Sequence, residues 1–205
     1  MKNFGKLALL GAALAVSATY AHATAVTYST SGAFSGGSGT ITNGANSATD
    51  VFGSSGNTAT LTFTDIPSTP VNAPTNASFG NMNVAVAGTG ASGSGTFDLT
   101  INETVPTGGS NDFVGTLAGS FTINSSSGTI TFSTMSLTIG SGASAITYAL
   151  QPGGVYDLVP PNDNSGNTSI QGTITPTPEP SSLMLLGTGL LSAGGMLMRR
   201  RRMAA

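Results

Sequence analysis

The sequence predicts an all-β protein: one antiparallel β-sandwich or jelly-roll-like domain followed by a single C-terminal transmembrane helix. Apolar and polar residues alternate along most of residues 24–175, which is typical of strands with one buried face. Glycine-rich turn signals separate these runs at intervals of about ten residues, and this body has no helical period. An uncharged apolar segment lies close to the C-terminus.

The N-terminus, residues 1–23, has the three parts of a secretory signal peptide. Lys2 and Lys6 supply a basic region, an apolar run follows, and Ala21 and Ala23 form an A-x-A cleavage site. The apolar run rises only about 15 Å as a helix, half of a hydrocarbon core of about 30 Å. We therefore expect cleavage after Ala23, with the Sec export machinery and signal peptidase as partners.

The alternation in the body is clearest where Phe97, Leu99 and Ile101 fall on one face of a predicted strand. Between residues 129 and 139 the apolar phase slips from even to odd positions. One extra residue or a chain break reverses the facing side chains, so we predict a bulge or a break near residue 133.

Three segments of the body have weaker strand patterns. Proline and polar residues predict long connections at 65–74 and 160–166. Serine, glycine and asparagine dominate residues 30–58, for which partial disorder is the competing prediction.

The charge distribution excludes several classes of function. All six Lys and Arg residues lie near the chain ends, the single histidine is His22, and cysteine is absent. Nucleic-acid binding needs cations, zinc and iron–sulfur sites need imidazole or thiolate ligands, and Ser-His or Cys-His catalysis needs an imidazole base. We therefore expect no enzyme activity, no cofactor and no nucleic-acid partner, with a fold held by its packed core alone.

One oxygen-rich segment, residues 162–167, resembles a calcium loop in composition and gives Asp163 and Asn164 as calcium candidates. It lacks the order of acids and the distal glutamate of an EF-hand. Asparagine, aspartate and glycine are also the residues that a turn requires. We favour the turn, and predict no metal site.

Carboxylates and tyrosines are the remaining candidates for chemistry or binding. Acids that could pair as a glycosidase couple if the fold joined them are Asp50, Asp65, Asp98, Glu103 and Asp112. Tyrosines that could form a sugar-binding platform are Tyr28, Tyr148 and Tyr156. For the tyrosines we favour core packing.

The C-terminal segment 183–198 contains no charged residue and would rise about 24 Å as a helix. The cluster that follows it is Arg199, Arg200, Arg201 and Arg202. Because arginine-rich flanks stay in the cytoplasm, this predicts a membrane helix with the body on the opposite side. The signal peptide requires the same orientation.

The order of features in the tail, residues 176–202, is specific: Pro178, Glu179 and Pro180, then the apolar span, then the arginines. This order resembles the PEP-CTERM sorting signal of Gram-negative bacteria that make exopolysaccharide, biofilm or floc. The resemblance implies processing near the Pro-Glu-Pro motif by exosortase, a membrane-embedded cysteine transpeptidase.

The leading hypothesis is an exported surface or matrix protein with a structural role associated with exopolysaccharide or biofilm. Before processing, its body would be periplasmic and its C-terminus cytoplasmic, with the inner membrane between them. Afterwards it would lie at the cell surface or outside the cell. The alternative is a surface module that binds carbohydrate, with calcium as a further ligand.

Overall fold

Thirteen β-strands make up most of the computed structural model, which describes residues 23–177, 187–190, 192 and 194. The strands are β1 Thr24–Ser35, β2 Thr40–Asn43, β3 Ser47–Ser54, β4 Asn57–Thr64, β5 Thr69–Ala73, β6 Thr75–Ala87, β7 Ala91–Val105, β8 Gly109–Phe121, β9 Thr129–Phe132, β10 Ser136–Ile139, β11 Ile146–Leu150, β12 Val155–Asp157 and β13 Asn167–Pro176. Two short 3-10 turns, Gly142–Ser144 and Asn164–Gly166, are the other regular elements of residues 23–177.

The strands form two antiparallel sheets around one hydrophobic core. The six-stranded sheet has the order β12-β9-β8-β7-β1-β5, and the seven-stranded sheet has the order β10-β11-β13-β6-β4-β3-β2. Phe97 and Leu99 from the first sheet and Leu61 and Phe63 from the second are fully buried in that core. The predicted all-β architecture is confirmed as two facing antiparallel sheets.

Large aromatic rings fill this core because glycines on neighbouring strands make room for them. The Phe63 ring lies against Gly32 on β1 and Gly80 on β6, where a Cβ atom would collide with it. Phe63 also packs against Phe97, with ring centroids 4.9 Å apart. The glycine content therefore serves core packing as well as turns.

The predicted break in the apolar phase near residue 133 is confirmed. Strand β9 ends at Phe132 in the six-stranded sheet, and β10 begins at Ser136 in the seven-stranded sheet. The chain thus crosses between the sheets over three residues. Phe132 and Leu137 both remain buried because each sheet presents its own inner face to the core.

The connection predicted at 65–74 is wrong, because it contains strand β5. Residues Thr69–Ala73 pair with Thr24–Tyr28 of β1 at the edge of the six-stranded sheet. Pro70 is compatible with this place because an edge strand has one side without ladder hydrogen bonds. The connection predicted at 160–166 contains only a 3-10 turn.

Residues 30–58, for which disorder is the competing prediction, form the second half of β1, all of β2 and β3, and the start of β4. Phe34, Ala48 and Phe52 enter the core from this segment and are buried. Widely spaced apolar residues are sufficient here because each strand needs only one buried face.

The body forms a compact unit from Thr24 to Thr177 that contains all thirteen strands and the described hydrophobic core. It therefore has the elements needed to fold on its own. In the tail, residues 187–190, 192 and 194 are helical. No helix within the described part of the chain is long and apolar enough to cross a membrane. Most of the predicted span 183–198 lies outside the described residues.

Candidate functional site

The sorting features of the sequence lie largely outside the described residues. This applies to Ala21 of the cleavage site, to the motif residues Pro178, Glu179 and Pro180, and to Arg199, Arg200, Arg201 and Arg202. Ala23 is described and exposed, and it directly precedes β1. At the other end of the body β13 ends at Pro176, and the Thr177 N–H donates to the Ala145 carbonyl at 2.9 Å. The last described contact of the body therefore lies directly before the motif.

The calcium candidates Asp163 and Asn164 lie in a tight, exposed turn. Asn164, Ser165 and Gly166 all have positive φ angles, of 46°, 52° and 76°. The Asn164 side chain donates to the Asn167 carbonyl at 2.7 Å, which uses the amide for the turn itself. No group of three His, Cys, Asp or Glu residues that could hold a metal occurs in the described part of the chain.

The candidate acids are spread over the body. Asp98 on β7 and Asp112 on β8 lie on the outer face of the six-stranded sheet, and they are the pair whose charges interact. Partial burial, and then the Asp112 charge, raise the pKa of Asp98. Asp50 and Glu103 are buried at separate places in the body.

The three tyrosines are core residues, so the sugar-platform interpretation is wrong and the core-packing prediction is confirmed. Tyr28, Tyr148 and Tyr156 are between 0% and 6% exposed. Burial raises the pKa of each phenol. Each hydroxyl donates to a protein acceptor: Tyr28 to Ser78 O at 2.8 Å, Tyr148 to Glu103 Oε2 at 2.7 Å and Tyr156 to Gln171 O at 2.6 Å.

A groove with a volume of about 600 Å³ lies beside β1 and under the connection from β4 to β5. Its polar lining includes Ser29, Ser31, Asn46, Asp65 and Asn102, and we call it the polar groove. Asp65 Oδ1 accepts the Gly32 N–H at 3.0 Å, and burial raises the pKa of this carboxyl. The groove presents hydroxyl, amide and carboxyl groups, which can bind a polar, uncharged ligand by hydrogen bonds.

Sequence reasoning missed the burial of Asp50. This residue is 0% exposed, and neither carboxyl oxygen has a hydrogen-bond partner. Burial raises the pKa of the carboxyl. The nearby Val51 backbone N–H lowers this pKa by a smaller amount, although it does not meet the geometry of a hydrogen bond. A signal was present, because Asp50 is in phase with Ala48 and Phe52 on β3. Period-two alternation therefore places its side chain on the apolar face.

Comparison with known proteins identifies the tail. The family model of the PEP-CTERM protein-sorting motif matches residues 176–202. No curated protein and no solved structure matches the chain. The chain thus carries a C-terminal protein-sorting signal. That signal is the PEP-CTERM motif, and the resemblance predicted from the sequence is confirmed. The motif implies export to the cell surface and processing by exosortase. The match begins at the last residue of β13, so it describes the tail and leaves the body unassigned.

Proposed function

We propose that this protein is a structural component of the cell surface or of an exopolysaccharide or biofilm matrix, delivered there when exosortase processes its tail. One observation carries the proposal: the sorting motif begins at Pro176, where the last strand of the body ends. Cleavage after the body would therefore remove no strand and no described core residue. The tail acts as a sorting signal, and the two-sheet body is the part of the protein that remains at the destination.

The proposed route begins with removal of residues 1–23. The segment 183–198 then holds the chain in the inner membrane, with the arginine cluster in the cytoplasm and the body in the periplasm. The body suits an exposed location, because its strands present mainly threonine, serine and asparagine outward while apolar residues face the core.

The route is tested by following the mass and location of the protein in cells with and without exosortase. We expect normal cells to contain a shortened chain at the surface or in the medium, and cells lacking exosortase to retain the tail in the membrane fraction. Replacement of Pro178, Glu179 and Pro180 by alanine should reproduce that retention, whereas Asp163→Ala in an exposed turn should not. The same chain length in both kinds of cell would contradict the proposal.

A second candidate function is the binding of a neutral polysaccharide in the polar groove. The observation that favours it is the convergence of Asn46, Asp65 and Asn102 with two serine hydroxyls. Asn102 is half-buried, and its amide donates to the Ser31 hydroxyl at 3.5 Å. These groups match the hydrogen-bonding capacity of sugar hydroxyls.

This second function is tested with residues 24–177 on a glycan array and by affinity electrophoresis in exopolysaccharide gels. Loss of one hydrogen bond of about 1 kcal/mol predicts roughly fivefold weaker binding for Asn46→Ala and for Asn102→Ala. Asn111→Ala on the exposed part of β8 is the matched control and should bind normally. If no glycan is retained, or if the control weakens binding equally, the groove has no such role.

A further inference from the structure

The polar groove carries a single negative charge. Of the residues that line it in the described part of the chain, Asp65 alone is ionisable, and the others include Ser31, Asn46 and Asn102. No Lys, Arg or His occurs between residues 24 and 198, so no side chain of the body can neutralise the Asp65 carboxyl group. A ligand in this groove therefore meets a carboxylate that has no opposite charge beside it.

The backbone around Asp65 is fixed against β1. The Asp65 N–H donates to the Asn46 carbonyl at 3.2 Å. The Ile66 carbonyl accepts the Thr30 N–H at 3.0 Å, and the Ile66 N–H donates to the Thr30 hydroxyl at 2.8 Å. The Gly32 N–H adds a bond to Asp65 Oδ1 at 3.0 Å. Because these bonds position the carboxyl group before a ligand arrives, they lower the entropic cost of binding.

The two oxygens of this carboxyl group differ in their surroundings. Oδ1 accepts the Gly32 N–H, whereas Oδ2 has no hydrogen-bond partner among the described residues and is not fully buried. Asp65 as a whole is half-buried, and burial raises the pKa of its carboxyl group more than the Gly32 N–H lowers it. A positively charged donor at Oδ2 would supply the missing hydrogen bond and the missing counter-charge.

The rest of the body limits what kind of sugar can bind. Every Phe and Tyr between residues 24 and 177 is buried, so the surface of this interval offers no aromatic ring on which a sugar could stack. Binding therefore depends on hydrogen bonds and charge. All acids of the sequence except Glu179 lie in the same interval, and a polysaccharide rich in carboxylate or sulfate groups would be repelled by them.

We propose that the polar groove selects polysaccharides in which some sugar units carry a free amino group, and that the ammonium group of such a unit binds Asp65. The proposal rests on the second function proposed above, and it names the unit of an otherwise neutral chain that the groove prefers. A glucosamine polymer that has lost some of its N-acetyl groups has this chemistry. The ammonium group donates to Oδ2, while the neutral units beside it bond to the amides of Asn46 and Asn102. The volume of about 600 Å³ lies within the range of about 300–1,000 Å³ that is usual for ligand sites.

The test compares a short glucosamine oligomer with the same oligomer after complete N-acetylation, by calorimetry on residues 24–177. We expect the free-amine form to bind roughly fivefold to tenfold more tightly, because it adds one ionic hydrogen bond at a half-buried carboxyl group. This preference should shrink in sodium chloride of about 0.5 M, because salt screens a pair that water can reach. A galacturonic acid oligomer should bind more weakly than the N-acetylated form.

Asp65→Asn is the variant that isolates the charge, because its amide oxygen can still accept the Gly32 N–H. We expect this variant to bind the amine and N-acetylated forms equally. Asp157→Asn is the matched control: it removes one exposed acid from β12, at the opposite edge of the sheet from β1 and β5. It changes the net charge by the same amount and should keep the full preference for the amine.

The outcomes separate this inference from the function on which it rests. If neither glucosamine oligomer binds, the groove has no sugar-binding role and both proposals fail. If the N-acetylated form binds and the free amine adds no affinity, the groove binds sugars without selecting the amine, and the inference is overturned. It is also overturned if Asp65→Asn and Asp157→Asn reduce the preference equally, since the attraction would then come from net charge alone.

Discussion

Two buried acids of this body have opposite surroundings. Glu103 on β7 is 3% exposed, yet both of its carboxyl oxygens have donors. Oε2 accepts the Tyr148 hydroxyl at 2.7 Å, and Oε1 accepts the Thr107 hydroxyl at 2.9 Å. Tyr148 belongs to β11 in the other sheet, so this pair joins the two layers through the core. Asp50 has no such donor among the described residues, so no hydrogen bond compensates for the burial of its carboxyl group.

Removing the Tyr148 hydroxyl should therefore destabilise the body more than removing that of Tyr156. In Tyr148→Phe, Glu103 Oε2 loses the only donor that the described residues give it, at an expected cost of about 2–3 kcal/mol. In Tyr156→Phe, the Gln151 N–H and the Gln171 carbonyl lose the hydroxyl but keep the hydrogen bond between them, at 3.2 Å. Both groups belong to exposed residues. Water can reach these groups, so we expect about 1 kcal/mol. Urea unfolding of both variants measures the difference, and equal costs would contradict the role given to Glu103.

For single residues, the sequence predicts whether a side chain is buried better than it predicts the hydrogen-bond partner of that side chain. The period-two phase of β3 places Asp50 inward, and the aromatic character of Tyr148 favours the core. The bond between Tyr148 and Glu103 joins residues 45 positions apart in opposite sheets. Nothing in either local pattern encodes that pairing, because it depends on how the two sheets are superposed.

Strand β1 is covered by a neighbouring strand along only part of one side, and the rest of that side is protected by a loop and by side chains. Strand β5 pairs only with Thr24–Tyr28, so the rest of that side of β1 has no neighbouring strand. Thr30 bonds instead to the Ile66 carbonyl, Gly32 to the Asp65 carboxyl, and Phe34 to the Asn43 side chain through both its N–H and its carbonyl. Such side-chain and loop capping satisfies the free backbone groups and blocks pairing with another chain.

The contact between β1 and β4 gives a prediction at the level of elements. Gly32→Ala would direct a methyl group into the Phe63 ring, and overpacking of this kind costs about 1–3 kcal/mol. Phe63→Ala removes all three ring atoms that the methyl group would meet and should relieve this collision. We therefore expect Gly32→Ala to cost at least about 1 kcal/mol less in the Phe63→Ala background than alone. A double-mutant cycle by urea unfolding measures this coupling, and strictly additive costs would show that the ring and the glycine do not limit each other.

Strands are predicted correctly from the sequence where apolar and polar residues alternate without interruption. The prediction fails where the position of a segment in the sheet decides whether it forms a strand. The strand containing Phe97, Leu99 and Ile101 and the break near residue 133 follow directly from the two-residue period. Strand β5 was missed because Pro70 and Pro74 suggest a loop, and only the position at the edge of the sheet makes Pro70 compatible with a strand. The capping of β1 by Asp65 and Asn43 could not be predicted either, because it depends on the positions of the loop after β4 and of the end of β2 relative to β1.

Across the whole molecule, the acids of the body have no opposing cations. Between residues 24 and 177 the sequence has no Lys, Arg or His, and all its acids except Glu179 lie in this interval. Acidification therefore brings the body towards neutrality, in contrast to ordinary proteins, which become strongly positive and expand at low pH. The repulsion between its carboxylates is greatest at neutral pH.

This charge pattern, together with three perturbed acids, predicts an unusual dependence of stability on pH. Burial raises the pKa values of Asp50, Asp65 and Asp98 in the folded state, so that state holds these protons more tightly than the unfolded chain does. The resulting stabilisation is complete below the unfolded pKa of about 3.9, and it is lost as the pH rises through the folded pKa values. We therefore expect the free energy of unfolding of residues 24–177, measured with urea, to be higher at pH 4 than at pH 7. Asp50→Asn should flatten the dependence, because its amide does not titrate, whereas Asn111→Ala, at an exposed position on β8, removes no titrating group and should leave it unchanged. A body that gains stability between pH 4 and pH 7, as proteins with paired carboxylates do, would show that these acids find compensating partners in solution.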